Sequence, residues 1–278
     1  VSTSVVLVVL TAGLVHAVWN ALAKSQPDQF ASFALLNAGV ALVCWVALPI
    51  VGLPRSASWT YLGVSVLCHL GYELFLMGAY RRADFSRSYP IARGVAPLLV
   101  SLGGLVFANE HLSPRSLAGM LVIAFAITSL ALHRREPATR RLGVVWALAT
   151  GVAIAIYTVI DGLGVRVSHD AFRYAGALFA IESTLWMIGV FASGRRDWWP
   201  TRGRAALGLL AGLLSIVGYV AVLWAQIRAP FGVVSALRET GVLWAAIIGV
   251  VVFREGRVRR IIVPAMLVTL GIALVSIG

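Results

Sequence analysis

His69 and Glu73 stand one helical turn apart inside an otherwise apolar stretch, a spacing at which a proton can pass between them. Arg93 lies in another apolar stretch, flanked by Pro90 and Pro97, and Arg238-Glu239 lie in a third. Such groups are costly in hydrocarbon and normally face a bundle interior or a watery cavity. Together they suit recognition of a small molecule with both charges: a guanidinium for its carboxylate, carboxylates for its ammonium group. Trp19, Tyr72, Tyr80, Tyr89, Tyr157, Tyr219, Trp224 and Trp244 lie deep or beside the polar positions and could stack on its side chain.

Helical spacing groups these residues on shared faces. One face holds His16, Trp19 and Asn20; one holds His69, Tyr72, Glu73 and Tyr80; one holds Tyr89, Arg93 and Pro97; one holds Ser235, Arg238 and Glu239. Pro90 and Pro97 each remove a backbone N–H, which makes them candidate hinges or the sites of a static kink. Glu73 and Arg93 either neutralise each other across adjacent helices or meet a ligand. Arg238 and Glu239 are roughly 100° apart on a helix and are expected to find partners elsewhere. Asp161 is expected to reach the interface, and Glu182 to make a structural hydrogen bond. Trp59, Trp198 and Trp199 read as interface anchors.

The elements that must position these groups are membrane helices. Of 278 residues, 60% are hydrophobic and 12% charged, with mean hydropathy +0.90; a soluble domain carries about 25% charged residues. Ten apolar spans are predicted, at 3–24, 30–52, 58–80, 85–108, 115–132, 142–165, 172–194, 205–227, 231–253 and 260–277, most near the ~20 residues that cross a bilayer. They lack the alternation of a membrane barrel. The gaps between them are too short to hold a soluble domain. The first span begins without a basic segment before it, so it reads as a mature helix rather than a cleaved leader.

The chain also repeats itself. Gly71-Tyr72 matches Gly218-Tyr219, Arg82-Ala83-x-Phe85 matches Arg228-Ala229-x-Phe231, and Glu110 matches Glu255. Gly13-x5-Trp19-Asn20 faintly echoes Gly151-x5-Tyr157-Thr158. Residues 1–137 and 138–278 are thus expected to form two five-helix copies, inverted because five is odd. Gaps after odd spans hold sixteen basic residues and gaps after even spans five. That imbalance predicts a cytoplasmic odd side and periplasmic termini. The net charge of +12 is spread over these gaps, so it is not a nucleic-acid footprint. Cys44 and Cys68 fall inside apolar runs and build no disulfide or metal framework. No cofactor is expected. His69-x3-Glu73 has ligand spacing but no third partner nearby, and HExxH, GxSxG and nucleotide-binding loops are absent.

In this order and duplication, Trp19-Asn20-x3-Lys24, the two Arg-Ala-x-Phe segments and the two glutamates resemble the EamA branch of the drug/metabolite transporter superfamily, most nearly its bacterial aromatic amino acid exporters of the YddG type. The resemblance covers almost the whole chain. It implies an all-α integral membrane protein in which ten helices surround a central cavity walled by spans 1, 3, 4, 6, 8 and 9. It also implies a monomer in the bacterial inner membrane that exports small amphoteric metabolites by alternating access. Export of drugs or other metabolites, or an intramembrane enzyme, are the competing expectations.

Overall fold

A computed structural model describes residues 1–82, 92–93, 96–132, 141–195, 202–254 and 259–277. Among the described residues the chain is all helical. The order is α1 (Thr3–Ser25), α2 (Gln29–Val51), a 3-10 turn (Ser56–Ser58), α3 (Trp59–Arg82), α4 (Ala96–Phe107), α5 (Pro114–Leu132), α6 (Arg141–Ser168), α7 (Ala171–Ala192), α8 (Arg202–Gln226), α9 (Phe231–Glu239), α10 (Gly241–Val251) and α11 (Arg259–Ile277). Tyr89, Pro90, Trp198, Trp199, Glu255 and the expected boundary at 137 lie outside the described residues.

Among the described residues, seven stretches are long and apolar enough to cross a membrane: α1, α2, α3 with its 3-10 turn, α6, α7, α8, and α9 with α10. Shorter apolar helices run over Ala96–Phe107, Pro114–Ile127 and Met266–Val275. Large apolar side chains such as Leu42, Val46, Ile50, Leu67, Phe191 and Val251 are exposed along these helices. A lipid-facing surface explains them, since a soluble protein rarely exposes contiguous apolar area of that extent. The chain is a multi-pass membrane protein.

Two helix starts are built alike. Asp28 accepts from the N–H groups of Phe30 and Ala31, and Asp170 from those of Phe172 and Arg173, so each carboxylate satisfies donors that a helix leaves orphaned. The surrounding residues match as well: Lys24-x3-Asp28-x-Phe30 recurs as Arg166-x3-Asp170-x-Phe172. Asn109 and Arg254, each just before one of the repeated glutamates, both adopt left-handed backbone, with φ 48° and 55°.

Helix packing follows one scheme. α3 lies along α6 as α1 lies along α8; α2 packs on α8 as α7 packs on α3; α4 packs on α6 as α9 and α10 pack on α1. α2 also packs on α7, α4 on α9, and α5 on α11. Two glycines permit close crossings. A Cβ at Gly13 would stand 2.8 Å from the Arg238 carbonyl oxygen, and one at Gly151 would stand 2.5 Å from that of Ala92. Both are closer than packed atoms approach, so these backbones can touch only at a residue without a side chain.

The ninth span departs from the expected single helix. It breaks at Thr240, between α9 and α10. No proline is involved. Thr240 turns its N–H and its hydroxyl onto the Leu237 carbonyl, at 3.2 and 2.7 Å. Gly241 then lies against the backbone of Gly13. The local tightening to i→i+3 bonding closes α9 one residue after its two charges.

Candidate binding site in the bundle interior

The break delivers Arg238 and Glu239 to the interior, each about 1% exposed. Glu239 Oε1 accepts from Arg93 Nη1 at 3.0 Å and from Arg238 Nε at 3.1 Å. Arg238 and Glu239 therefore do pair with each other, against expectation, and Glu239 also finds a partner elsewhere in the chain, in Arg93. Glu73 does not meet Arg93 through any bond seen here; its Oε2 accepts from Asn37 Nδ2 at 2.8 Å. One carboxylate thus serves two guanidinium groups, and the Nη1 of Arg238 has no hydrogen-bond partner among the described residues. The neighbouring Ser235 hydroxyl, one turn earlier on the same face, is also buried and unpartnered, as is the Trp19 indole N–H on the α1 that packs against α9. Donors exceed acceptors here, which suits an anionic group.

A second buried cluster joins α3, α6, α7 and α8. Asp161 is fully buried rather than at the interface. Its Oδ1 accepts from the Tyr174 hydroxyl at 2.9 Å, and its Oδ2 from the Tyr219 hydroxyl and from His69 Nε2, the latter at 3.0 Å. Asp161 lies seven residues before the end of α6, about 10 Å along the axis, which carries it well inside the bundle. Glu182, expected to make a structural bond, has an Oε2 without a hydrogen-bond partner, 3.7 Å from His69 Nδ1. Aromatic rings close around the imidazole. Tyr157 lies 4.0 Å from it between centroids, Tyr219 5.4 Å, and Tyr72 and Phe179 6.3 Å each. Tyr157 is the panel shared by His69 and the helices that carry the arginines.

The remaining expected residues divide. Asn20 and Tyr80 are bound to each other, hydroxyl to Oδ1 at 2.6 Å, and Asn20 Nδ2 donates to the His16 carbonyl. They clamp α1 to α3. Trp224 is half-buried beneath the Arg228 guanidinium, 4.2 Å from its ring centre. Trp244 is 46% exposed on α10 and faces outward, so it does not belong to the interior set. Pro97 is buried near the start of the described part of α4, and its carbonyl accepts from the Ser101 hydroxyl at 2.6 Å. A polar pocket of about 610 Å³ opens at the bundle end where α1 meets α2, lined by Lys24, Asp28, Gln29, Tyr80, Arg81 and Arg195.

Sequence reading passed over one arrangement at the opposite end. Glu110, in the loop after α4, pairs with Arg166 at 2.6 Å and accepts the Phe231 N–H at 2.8 Å. α9 has no capping side chain of its own, so Glu110 caps it from another part of the chain. Arg166 also donates to the carbonyls of Gln226 and Ala229, at 2.8 and 3.0 Å, and lies over the Phe231 ring. Lys24 donates to the Tyr80 carbonyl at 2.6 Å as Arg166 donates to that of Gln226. The signal was present in the sequence as the Lys24–Phe30 and Arg166–Phe172 echo.

Residues 141–277 match the family described as the EamA-like transporter family. No curated protein matches the chain. Twenty-nine chains of solved structures do. One of them, titled only "Crystal structure of protein", superposes with a TM-score of 0.76 over 100% of this chain and 98% of its own, at 18% identity. At that identity the likeness shows the fold alone.

Proposed function

We propose that the chain is an EamA-type transporter that carries small amphoteric metabolites, amino acids with a preference for aromatic ones, outward across a bacterial inner membrane. The observation that carries this reading is the interior cluster of Arg93, Arg238 and Glu239 at the break between α9 and α10. A buried guanidinium with an unpartnered Nη1 is set for a carboxylate. The ring group of Tyr72, Tyr157, Tyr219 and Phe179 is set for an aromatic side chain.

Two inverted five-helix copies, 1–137 and 138–278, supply the motion. Three observations support them: the family match spans the extent of the second copy, the packing scheme is unchanged when the halves are exchanged, and the caps of α2 and α7 correspond. Rocking of one copy against the other would expose a midplane cavity to each side in turn. The basic-residue imbalance supports periplasmic termini, and the transporting unit in this reading is the monomer. Flux of radiolabelled L-tryptophan in proteoliposomes tests the reading. Saturable flux competed by L-phenylalanine, and reduced at least tenfold by Arg238→Gln, is expected. Flux equal to empty liposomes, or competed only by drug-like cations, would overturn it.

A further inference from the structure

The hydrogen bonds around Asp161 fix the state of His69. The Tyr219 hydroxyl has one proton and gives it to Asp161 Oδ2. With Asp161 ionised, the contact between His69 Nε2 and the same carboxylate, 3.0 Å, takes its proton from the imidazole. With Nε2 protonated, a neutral ring presents the lone pair of Nδ1 to Glu182 Oε2, 3.7 Å away. Two lone pairs then face each other in a site where His69, Asp161 and Glu182 are all at least nine-tenths buried. The clash is removed by one further proton between Glu182 and Nδ1.

The surroundings decide where it rests. Glu73 lies within electrostatic reach of Glu182 from α3, and Asp161 from α6. α2 contributes Cys44 and the neutral Asn37, α3 also Cys68 and Tyr72, α7 Tyr174, α8 Tyr219, and α6 Tyr157. None of these is a cation. The two arginines lie beyond Tyr157, and Glu239 already faces them. Three carboxylates and one imidazole would bury a large net negative charge. A protonated Glu182 lowers it without separating charge in a low-dielectric interior. Among the described residues, no group of three His, Cys, Asp or Glu is placed to hold a metal ion.

We infer that Glu182 and His69 form a proton-binding site, with the proton resting on Glu182 beside His69 Nδ1. As a corollary, which rests on the transport reading above, this proton is the coupling ion. Tyr157 stacks on His69 from α6, so loss of the proton shifts the panel next to the arginine cluster.

Infrared spectroscopy of the purified full-length chain at neutral pH tests the site without any substrate. A protonated-carboxyl band that shifts in D2O, vanishes in Glu182→Gln and survives in Glu73→Gln is expected. Absence of the band in the unmodified protein, or its survival in Glu182→Gln, overturns the inference. Should Glu182→Gln fail to fold, Glu182→Asp must move the band, and an unmoved band overturns it equally. For coupling, L-tryptophan flux is compared with and without an imposed pH gradient. A severalfold stimulation that falls to none in Glu182→Gln is expected, and flux indifferent to the gradient removes the corollary while leaving the transport reading. No flux at all removes the transport reading, and the infrared result then judges the site alone.

Discussion

Glu239 holds two guanidinium groups, so its loss removes the carboxylate that Arg93 and Arg238 share. Breaking a buried pair by removing one partner costs about 3–5 kcal/mol. Glu239→Ala is expected to lose stability of that order, read as a large drop in the unfolding temperature of the detergent-solubilised protein. A shift no larger than that of an exposed-residue control would show that water already screens the cluster. Asn20 and Tyr80 have a different role, joining two helices rather than meeting a ligand. Residue types at helical spacing do indicate which side chains turn inward. His69, Glu73, Arg93, Arg238 and Glu239 were all legible in that way, and all are buried. Which inward charge meets which was not legible, because that depends on helices far apart in the chain: His69 finds Asp161 across 92 residues and Arg93 finds Glu239 across 146.

At the scale of elements, the N-caps of α2 and α7 offer a controlled comparison. Asp170→Ala should cost about 1 kcal/mol through the lost cap. Asp28→Ala should cost more, since Asp28 also pairs with Arg195 at 2.7 Å, whereas Asp170 adds only the exposed Arg173 one turn away; an exposed pair contributes about 0–1 kcal/mol. Thermal unfolding of the two variants side by side should reproduce that order, and equal losses would remove Arg195 from the account. Helix positions were largely legible because apolar length is a strong signal. The break at Thr240 was not. A threonine before a glycine is ordinary within a membrane helix, and the break lies against the Gly13 backbone, a contact between segments far apart in the chain. Asp161 was underrated for a related reason. α6 runs to 28 residues where α1 has 23, and the extra turn carries it deeper than its distance from the nearest gap suggested.

Across the whole molecule, Glu110 and Arg166 tie the ends of α4, α6 and α8 to the start of α9. Glu110→Ala removes both the ion pair and the cap, while Glu110→Gln keeps an acceptor for Phe231. Hydrogen exchange should therefore rise sharply at residues 231–234 in Glu110→Ala and only slightly in Glu110→Gln, charged hydrogen bonds contributing about 1.5–3 kcal/mol. Equal exchange in the two variants would mean that Glu110 acts by charge alone. The same scale gives the Arg93–Glu239 pair a historical meaning. The residues that repeat most clearly, such as Phe85 and Phe231, place positions 93 and 239 in register, and these two positions touch. Two identical copies would meet there as Arg against Arg or Glu against Glu. A pair of opposite sign requires that the halves be inherited as separate sequences, free to drift apart while bound in one chain. On the two-copy reading, this contact is therefore younger than the duplication. A half expressed alone, seeking a second copy of itself, would bring like charges together at its centre.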